Sequence, residues 1–235
     1  MSIVRYCLLI ASLSWSSISF AEQKLMSFVS LVSQSMSALY MVALSQGDTR
    51  YQTEYDKLKS QSLSVLPNEH SFHQRWLALT KNMKFTYDKD YEWDFHHNLE
   101  LRNDIRSFHS EIYEALLESE IAPSNQNALK LAACKIEVLA ARYNDITSSI
   151  DGIGDLSTRD LNAINPSKIS GEIKKALTKV SKTHKNINTK KLLDKTLFKW
   201  TFLEKNITSY SQQDASFMIY STKNSINRSL AKISI

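Results

Sequence analysis

Hydrophobic residues recur every three or four positions over most of this chain, and this pattern predicts an all-α protein. Between residues 23 and 46, apolar side chains at this spacing define one face of a helix. Six further periodic segments follow, over 50–65, 71–83, 94–119, 125–150, 167–184 and 190–231. Because the segments are long and most of their connections are short, we predict long antiparallel helices packed into one or two bundles.

Glycine and proline are scarce and support the same fold class. The whole chain has four glycines and three prolines, and all but Gly171 lie between periodic segments. A β-sandwich or β-barrel would need many more turn residues. Two stretches lack helical periodicity. Residues 85–93 are predicted to be a loop, and residues 151–157 are predicted to be the clearest break in the chain.

The first 21 residues have a different pattern, which is typical of a secretory signal peptide. Arg5 precedes an uncharged, largely apolar stretch that ends in Ser19-Phe20-Ala21. A positive start, an apolar middle and small residues at the exit predict cleavage ahead of Glu22. The alternative is an uncleaved membrane anchor. With cleavage, we expect a soluble protein in the periplasm, because no later segment is apolar enough to span a bilayer.

Two blocks of sequence resemble each other and suggest a tandem duplication. Residues 76–83 share Trp, Leu, Lys and Asn with residues 200–207 at four fixed places. Further along, 103–108 resembles 224–230 with one inserted residue. The hypothesis is that 22–120 and 124–235 are two versions of one helical unit, the second with an insertion at 151–166. The alternative is one continuous domain in which amphipathic helices are similar by chance.

The cysteine content excludes an internal disulfide, and the charge pattern indicates which partners the protein could bind. After cleavage Cys134 is the lone cysteine, so no internal disulfide can form and the thiol is predicted to be a small buried group. Residues Lys168 to Lys205 contain eleven lysines and three acids. This segment is either a solvated face or a surface with weak affinity for anionic partners. Nucleic acid is not expected, because no arginine and aromatic residues alternate as they do in base-reading surfaces.

Four histidines suggest a metal site as an alternative function. His70 and His73 are three residues apart and would share a helix face, and His96 and His97 follow. An exported protein could bind zinc or copper with such groups, although no known zinc motif is present. The competing interpretation is that they are ordinary surface or half-buried histidines.

Catalytic signatures are missing from the chain. It contains no Gly-x-Ser-x-Gly elbow, no phosphate-binding glycine loop and no dinucleotide fingerprint. We therefore expect neither an enzyme nor a bound cofactor.

The segment Leu31-Val-Ser-Gln-Ser-Met-Ser-Ala-Leu-Tyr40 resembles a helix in the N-terminal sensor domains of type IV pilus methyl-accepting chemotaxis transducers, which are related to nitrate-sensing bundles. Ser33, Gln34, Met36, Leu39 and Tyr40 match, and residues 139–143 are a fainter version that ends in Tyr143. The resemblance implies a sensor-like helical domain with ligand-binding residues at Ser33, Gln34, Tyr40 and Tyr143. The family's anion-binding arginine is replaced here by Ser35, so nitrate binding is not implied.

The sequence therefore predicts an exported, non-catalytic helical protein that acts as a sensor-like ligand-binding or protein-interaction module. No kinase or signalling module is evident, so we expect it to act through an unidentified periplasmic or inner-membrane protein, or as a homodimer. The alternative is a periplasmic metal or small-ligand binding protein that uses His70, His73, His96 and His97.

Overall fold

The fold is all-α, as predicted. The computed structural model describes residues 3–81, 83, 99–148, 164–209 and 215–233, with side chains from residue 21 onward apart from those of residues 99 and 209. Within these ranges there are eight helices and no strand. The helices are α1 (Ile3–Leu44), α2 (Thr49–Leu63), α3 (Ser71–Lys81), α4 (Leu99–Glu118), α5 (Asn125–Thr147), α6 (Pro166–Thr183), α7 (Ile187–Ser209) and α8 (Ser216–Leu230).

The helices pack as two groups of four. In the first group, α1 packs against α2 and α4, and α3 packs against the same two helices. In the second group, α5 packs against α6 and α8, and α7 packs against those two. The groups meet mainly along α1 and α5, which therefore form the centre of the molecule.

Helix α1 is buried on nearly all sides between residues 32 and 43. Two of its buried serines form hydrogen bonds within the helix, since Ser33 and Ser35 each donate to the carbonyl four residues earlier, at 2.8 Å. The segment Ala21–Leu44 is long and apolar enough to cross a membrane, but 72% of its most apolar window is buried inside the protein. The segment therefore has the burial of a core helix in this fold.

Local sequence sets the helix ends. At the end of α1 the Gly47 amide donates to the Val42 carbonyl at 2.8 Å and the Gln46 amide to the Ala43 carbonyl at 3.1 Å, which is a Schellman motif. This places Gln46 at φ 54° and Gly47 at φ 90°. Asp48 then caps α2. Asn165 caps α6, and Pro166 is its first residue.

Two predicted helix boundaries are wrong. The periodic segment 190–231 is not one helix, because α7 ends at Ser209 and α8 begins at Ser216. This division allows α8 to pack against both α5 and α7. The first helix begins at Ile3 instead of residue 23, since helix geometry continues through the apolar N-terminal segment. The predicted loop at 85–93 and the break at 151–157 lie outside the described residues.

Candidate functional site

A buried ion cluster joins the first group of helices to α5. The Asp145 carboxylate accepts hydrogen bonds from Arg102 Nη2 at 3.0 Å, Arg106 Nε at 2.7 Å and Arg142 Nη1 at 3.1 Å. None of the four side chains is more than 5% exposed. Arg102 also donates to the Asp145 backbone carbonyl at 2.8 Å. The carboxylate thus links two turns of α4 to one turn of α5.

The charges in this cluster are fixed by the surroundings. Burial by itself raises the pKa of the Asp145 carboxyl, but the hydrogen bond from Arg106 and the charges of all three arginines outweigh it, so the pKa lies below its usual value. The Arg102 guanidinium lies 5.7 Å from the centre of the Tyr40 ring. Burial, and then the charge of Asp145, raise the pKa of Tyr40, which stays protonated. The cluster is therefore ionised. It connects α4 to α5 by hydrogen bonds and α1 to α4 by the contact between Tyr40 and Arg102.

A serine and a histidine are in contact next to this cluster. His109 Nε2 lies 2.8 Å from Ser33 Oγ, which also lies 2.8 Å from the Val29 carbonyl. Burial, followed by the charge of Arg142, lowers the pKa of His109 to about 4, so the imidazole is neutral near pH 7. Both side chains are almost completely buried. The contact is a hydrogen bond of the core, since a substrate would have no access to Ser33.

A second buried ion pair joins α5 to α8. Lys223 Nζ donates to the Glu137 carboxylate at 2.6 Å, and both side chains are nearly inaccessible. Asn227, one turn after Lys223, donates from Nδ2 to the other oxygen of Glu137. The Oδ1 atom of Asn227 is buried and accepts no hydrogen bond from any described residue. This amide oxygen is therefore an oriented acceptor with no assigned donor.

The same asparagine lines a cavity of about 480 Å³ between α1, α5 and α8. Most of the wall is apolar, and its polar side chains come from Ser27, Ser30, Gln126, Lys130 and Asn227. The apolar part consists of Met26, Leu31, Leu129, Ala133, Cys134, Leu230, Ala231 and Ile233. The pKa of the Cys134 thiol is raised by burial, so this side chain contributes an apolar surface and no reactive thiolate.

The residues implied by the sensor resemblance lie in different surroundings. Ser33 and Tyr40, seven positions apart on α1, contact His109 and Arg102 of α4. Gln34 donates to Ser30 Oγ at 3.1 Å and so touches the cavity wall only indirectly. Tyr143 is buried in α5. None of the four lines the cavity, and their role in ligand binding stays a prediction.

The histidines of the metal hypothesis are only partly described. His73 is buried on α3, whereas His70 precedes this helix and is not part of it. His70 Nδ1 accepts the Phe72 amide at 3.2 Å, so this nitrogen already has a donor. His96 and His97 lie outside the described residues. Over the part of the chain with described side chains, no three His, Cys, Asp or Glu residues are grouped closely enough to hold a metal ion.

Sequence reasoning missed the polar residues of the core. Arg102, Arg106 and His109 are spaced four and three apart, so they share one side of α4. They alternate there with Ile105 and Ile112, which are core residues. The available signal was the placement of these polar residues at helical spacing within an apolar stripe.

Comparisons with protein-family models, with curated protein sequences and with solved structures found no match to this chain. The resemblance of residues 31–40 to pilus transducer domains therefore stays a prediction.

Proposed function

We propose that this chain is an exported, non-catalytic helical protein that binds a small amphipathic molecule between α1, α5 and α8. The observation that carries the proposal is a largely apolar cavity of about 480 Å³ that is lined in part by Asn227, a residue whose buried Oδ1 accepts no hydrogen bond from any described residue. Small-molecule sites in proteins are typically ~300–1,000 Å³ and combine apolar walls with a few oriented polar groups.

The cavity indicates the chemistry of its ligand. Apolar walls favour a hydrocarbon or aromatic body over a strongly hydrated one. The Asn227 amide is oriented by Glu137, which Lys223 holds in turn, so Oδ1 is fixed before a ligand arrives. A ligand with one O–H or N–H group would satisfy this oxygen. We therefore propose an apolar molecule with a single hydrogen-bond donor.

Export is the second part of the proposal. Its support is the charged start, apolar stretch and small-residue exit of residues 1–21. Met26, Ser27 and Ser30 line the cavity within three turns of the predicted cleavage point. Sequencing the N-terminus of the protein recovered from a Gram-negative host tests this part. Glu22 as the first residue of periplasmic material supports it, and an intact Met1 in the cytosol contradicts it.

Ligand binding is tested with N-phenyl-1-naphthylamine, a fluorescent probe that has an apolar body and one N–H donor. Ala133→Phe would fill the cavity and is expected to lower probe affinity by at least about tenfold, the loss expected when an apolar contact is replaced by a clash. Ala122→Phe, at an exposed position between α4 and α5, is the matched control. Equal probe binding by both variants would contradict the proposed site.

A second measurement isolates the proposed acceptor. Asn227→Ala should weaken the probe by about tenfold, roughly the net value of one hydrogen bond in a buried site. The N-methylated probe, which has no donor, should bind the variant and the original chain alike. Because the comparison is between two probes on one variant, a general loss of stability cannot produce the difference. Native mass spectrometry of the exported protein can then identify the natural ligand.

A further inference from the structure

The outer side of α7 carries the most exposed large apolar side chains among the described residues. Phe198 is 76% exposed, Ile187 is 68% exposed and Phe202 is 57% exposed. The opposite side of the helix is part of the core and contains Leu193, Trp200, Leu203 and Ile207. Helix α7 therefore has apolar groups on both sides, and packing among the described residues covers only one of them.

Exposed lysines alternate with these apolar groups. With 3.6 residues per turn, Ile187, Lys191, Lys195, Phe198 and Phe202 lie within about 80° of arc around the helix axis. We call these five residues the α7 stripe. Lys191 and Lys195 are both exposed. A single exposed apolar residue is ordinary on a protein surface, but two phenylalanines one turn apart beside two lysines form a continuous amphipathic strip.

The acids of this region are occupied within the protein. Glu172 accepts from Lys135 Nζ at 2.6 Å, and Glu204 accepts from Ser170 Oγ at 2.5 Å and pairs with a lysine of α6. Asp194, the acid beside the α7 stripe, accepts from Ser181 Oγ of α6 at 2.6 Å. Between Lys168 and Lys205 the chain has eleven lysines and only these three acids. The outward field that the described residues produce around α7 is therefore positive.

We infer that the α7 stripe docks the protein on a bilayer surface that contains anionic phospholipid. Phenylalanine rings enter the boundary between headgroups and acyl chains, while lysine stems lie along it and leave their ammonium groups among the phosphates. Anionic headgroups supply the charge that complements this face. Double-stranded RNA would match the lysines with its phosphates but leave both phenylalanine rings in water, because its bases are stacked inside the duplex. The α7 stripe shares no residue with the cavity, so this inference is independent of the proposed ligand site.

Vesicle flotation tests the inference with the exported protein, purified after removal of the apolar residues 1–21. Vesicles of equal parts phosphatidylcholine and phosphatidylglycerol should carry the protein upward, and pure phosphatidylcholine vesicles should not. Phe198→Ser/Phe202→Ser should lower partitioning by at least about tenfold, because the inserted apolar area is lost. Lys191→Gln/Lys195→Gln should lower it by about 30-fold at low salt, given the known attraction of each basic residue to an anionic surface.

Matched controls separate docking from general changes in the protein. Leu117→Ser removes an exposed apolar group from α4, and Lys57→Gln/Lys81→Gln removes two exposed charges from α2 and α3. Both should float like the original chain. Equal binding to neutral vesicles, or unchanged flotation of the double phenylalanine variant, would overturn the inference. Binding to RNA that depends on the lysines but not on the phenylalanines would also overturn it.

Discussion

At the scale of single residues, Asp145 is the acceptor shared by three buried arginines. Asp145→Asn keeps the shape of the side chain and removes the charge that offsets the guanidinium groups. We expect it to lower the free energy of unfolding by about 3–5 kcal/mol, as breaking a buried ion pair does. Urea denaturation at pH 7 measures this loss. Asp104→Asn, at an exposed position on α4, is the control and should change stability little. A loss no larger than the control's would contradict the conclusion that Asp145 stabilises the packing of α4 on α5.

His109 makes stability depend on pH in a particular window. Its pKa is about 4 in the folded protein, and an unfolded histidine has a pKa of about 6.5. As the pH falls, the unfolded chain therefore binds the proton before the folded protein does. The contribution of this group to the free energy of unfolding is at its full value above pH ~6.5 and decreases as the pH falls toward ~4, by about 3 kcal/mol in total.

His109→Gln removes this group and still allows a hydrogen bond to Ser33. We expect the variant to lose less stability than the original chain between pH ~6.5 and ~4. Below this window both proteins should weaken further, since the depressed pKa of Asp145 makes its contribution disappear as the carboxyl is protonated. Parallel stability curves of the two proteins across the window would rule out the burial of a neutral imidazole.

The buried polar residues of the core show which features could not be predicted from the sequence. Cys134 was predicted to be a small buried group, and it is. The spacing of Arg102 and Arg106 was compatible with burial but did not predict it, because a charged side chain is normally exposed and only a partner makes burial tolerable. That partner, Asp145, lies about forty residues away and on another helix. Periodicity describes one helix at a time and cannot identify such a pair.

At the scale of helices, the end of α1 contains a strained backbone conformation that a substitution can relieve. Gln46 occupies the left-handed region at φ 54°, a conformation that glycine adopts without steric cost. Gln46→Gly should raise the free energy of unfolding by about 0.5–1 kcal/mol, and Gly47→Ala at the next position should lower it by a similar amount. Thermal denaturation of both variants measures these changes. A Gln46→Gly variant less stable than the original would contradict this geometry.

The Glu137–Lys223 pair between α5 and α8 invites a comparison of single and double changes. Glu137→Leu leaves the Lys223 ammonium buried without its carboxylate and should cost about 3–5 kcal/mol of stability. Adding Lys223→Met should restore most of that loss, because an apolar pair of similar volume avoids the desolvation of two charges. A chemical denaturation cycle over the four proteins gives the coupling. Additive losses would show that the two side chains do not interact.

Helix boundaries were predictable where the sequence contained a cap or a breaker. Gly47 follows the end of α1, and α6 begins at Pro166 with Asn165 as its cap. The break between α7 and α8 was missed because residues 210–215 contain neither glycine nor proline, and Tyr210 and Phe217 are about two helical turns apart. The reversal is set by packing of α8 on α5, which is a tertiary cause.

At the scale of the whole molecule, the two groups of four helices share one packing pattern. In each group the first helix packs against the second and the fourth, and the third helix packs against the same two. Trp76 and Trp200, which the sequence comparison aligned, are both fully buried. Aligning Asn103 with Asn224 also pairs Arg102 with Lys223, two of the largest buried cations. The duplication itself stays a prediction. Superposition of residues 22–120 on 124–235 tests it, with helices matched in chain order as the expected outcome.

The pairing of α1 with α5 has a consequence for the order of folding. Cys134 Sγ contacts the Met26 carbonyl across a sequence separation of 108 residues, so the centre of the protein is built from non-local contacts. Folds rich in such contacts close slowly, because distant segments must meet before any of them is stabilised. During synthesis α1 has no α5 to pack against until more than half of the chain has been made. Under the proposed export this delay has a use, because a translocation channel that admits only unfolded polypeptide requires a chain that has not yet closed.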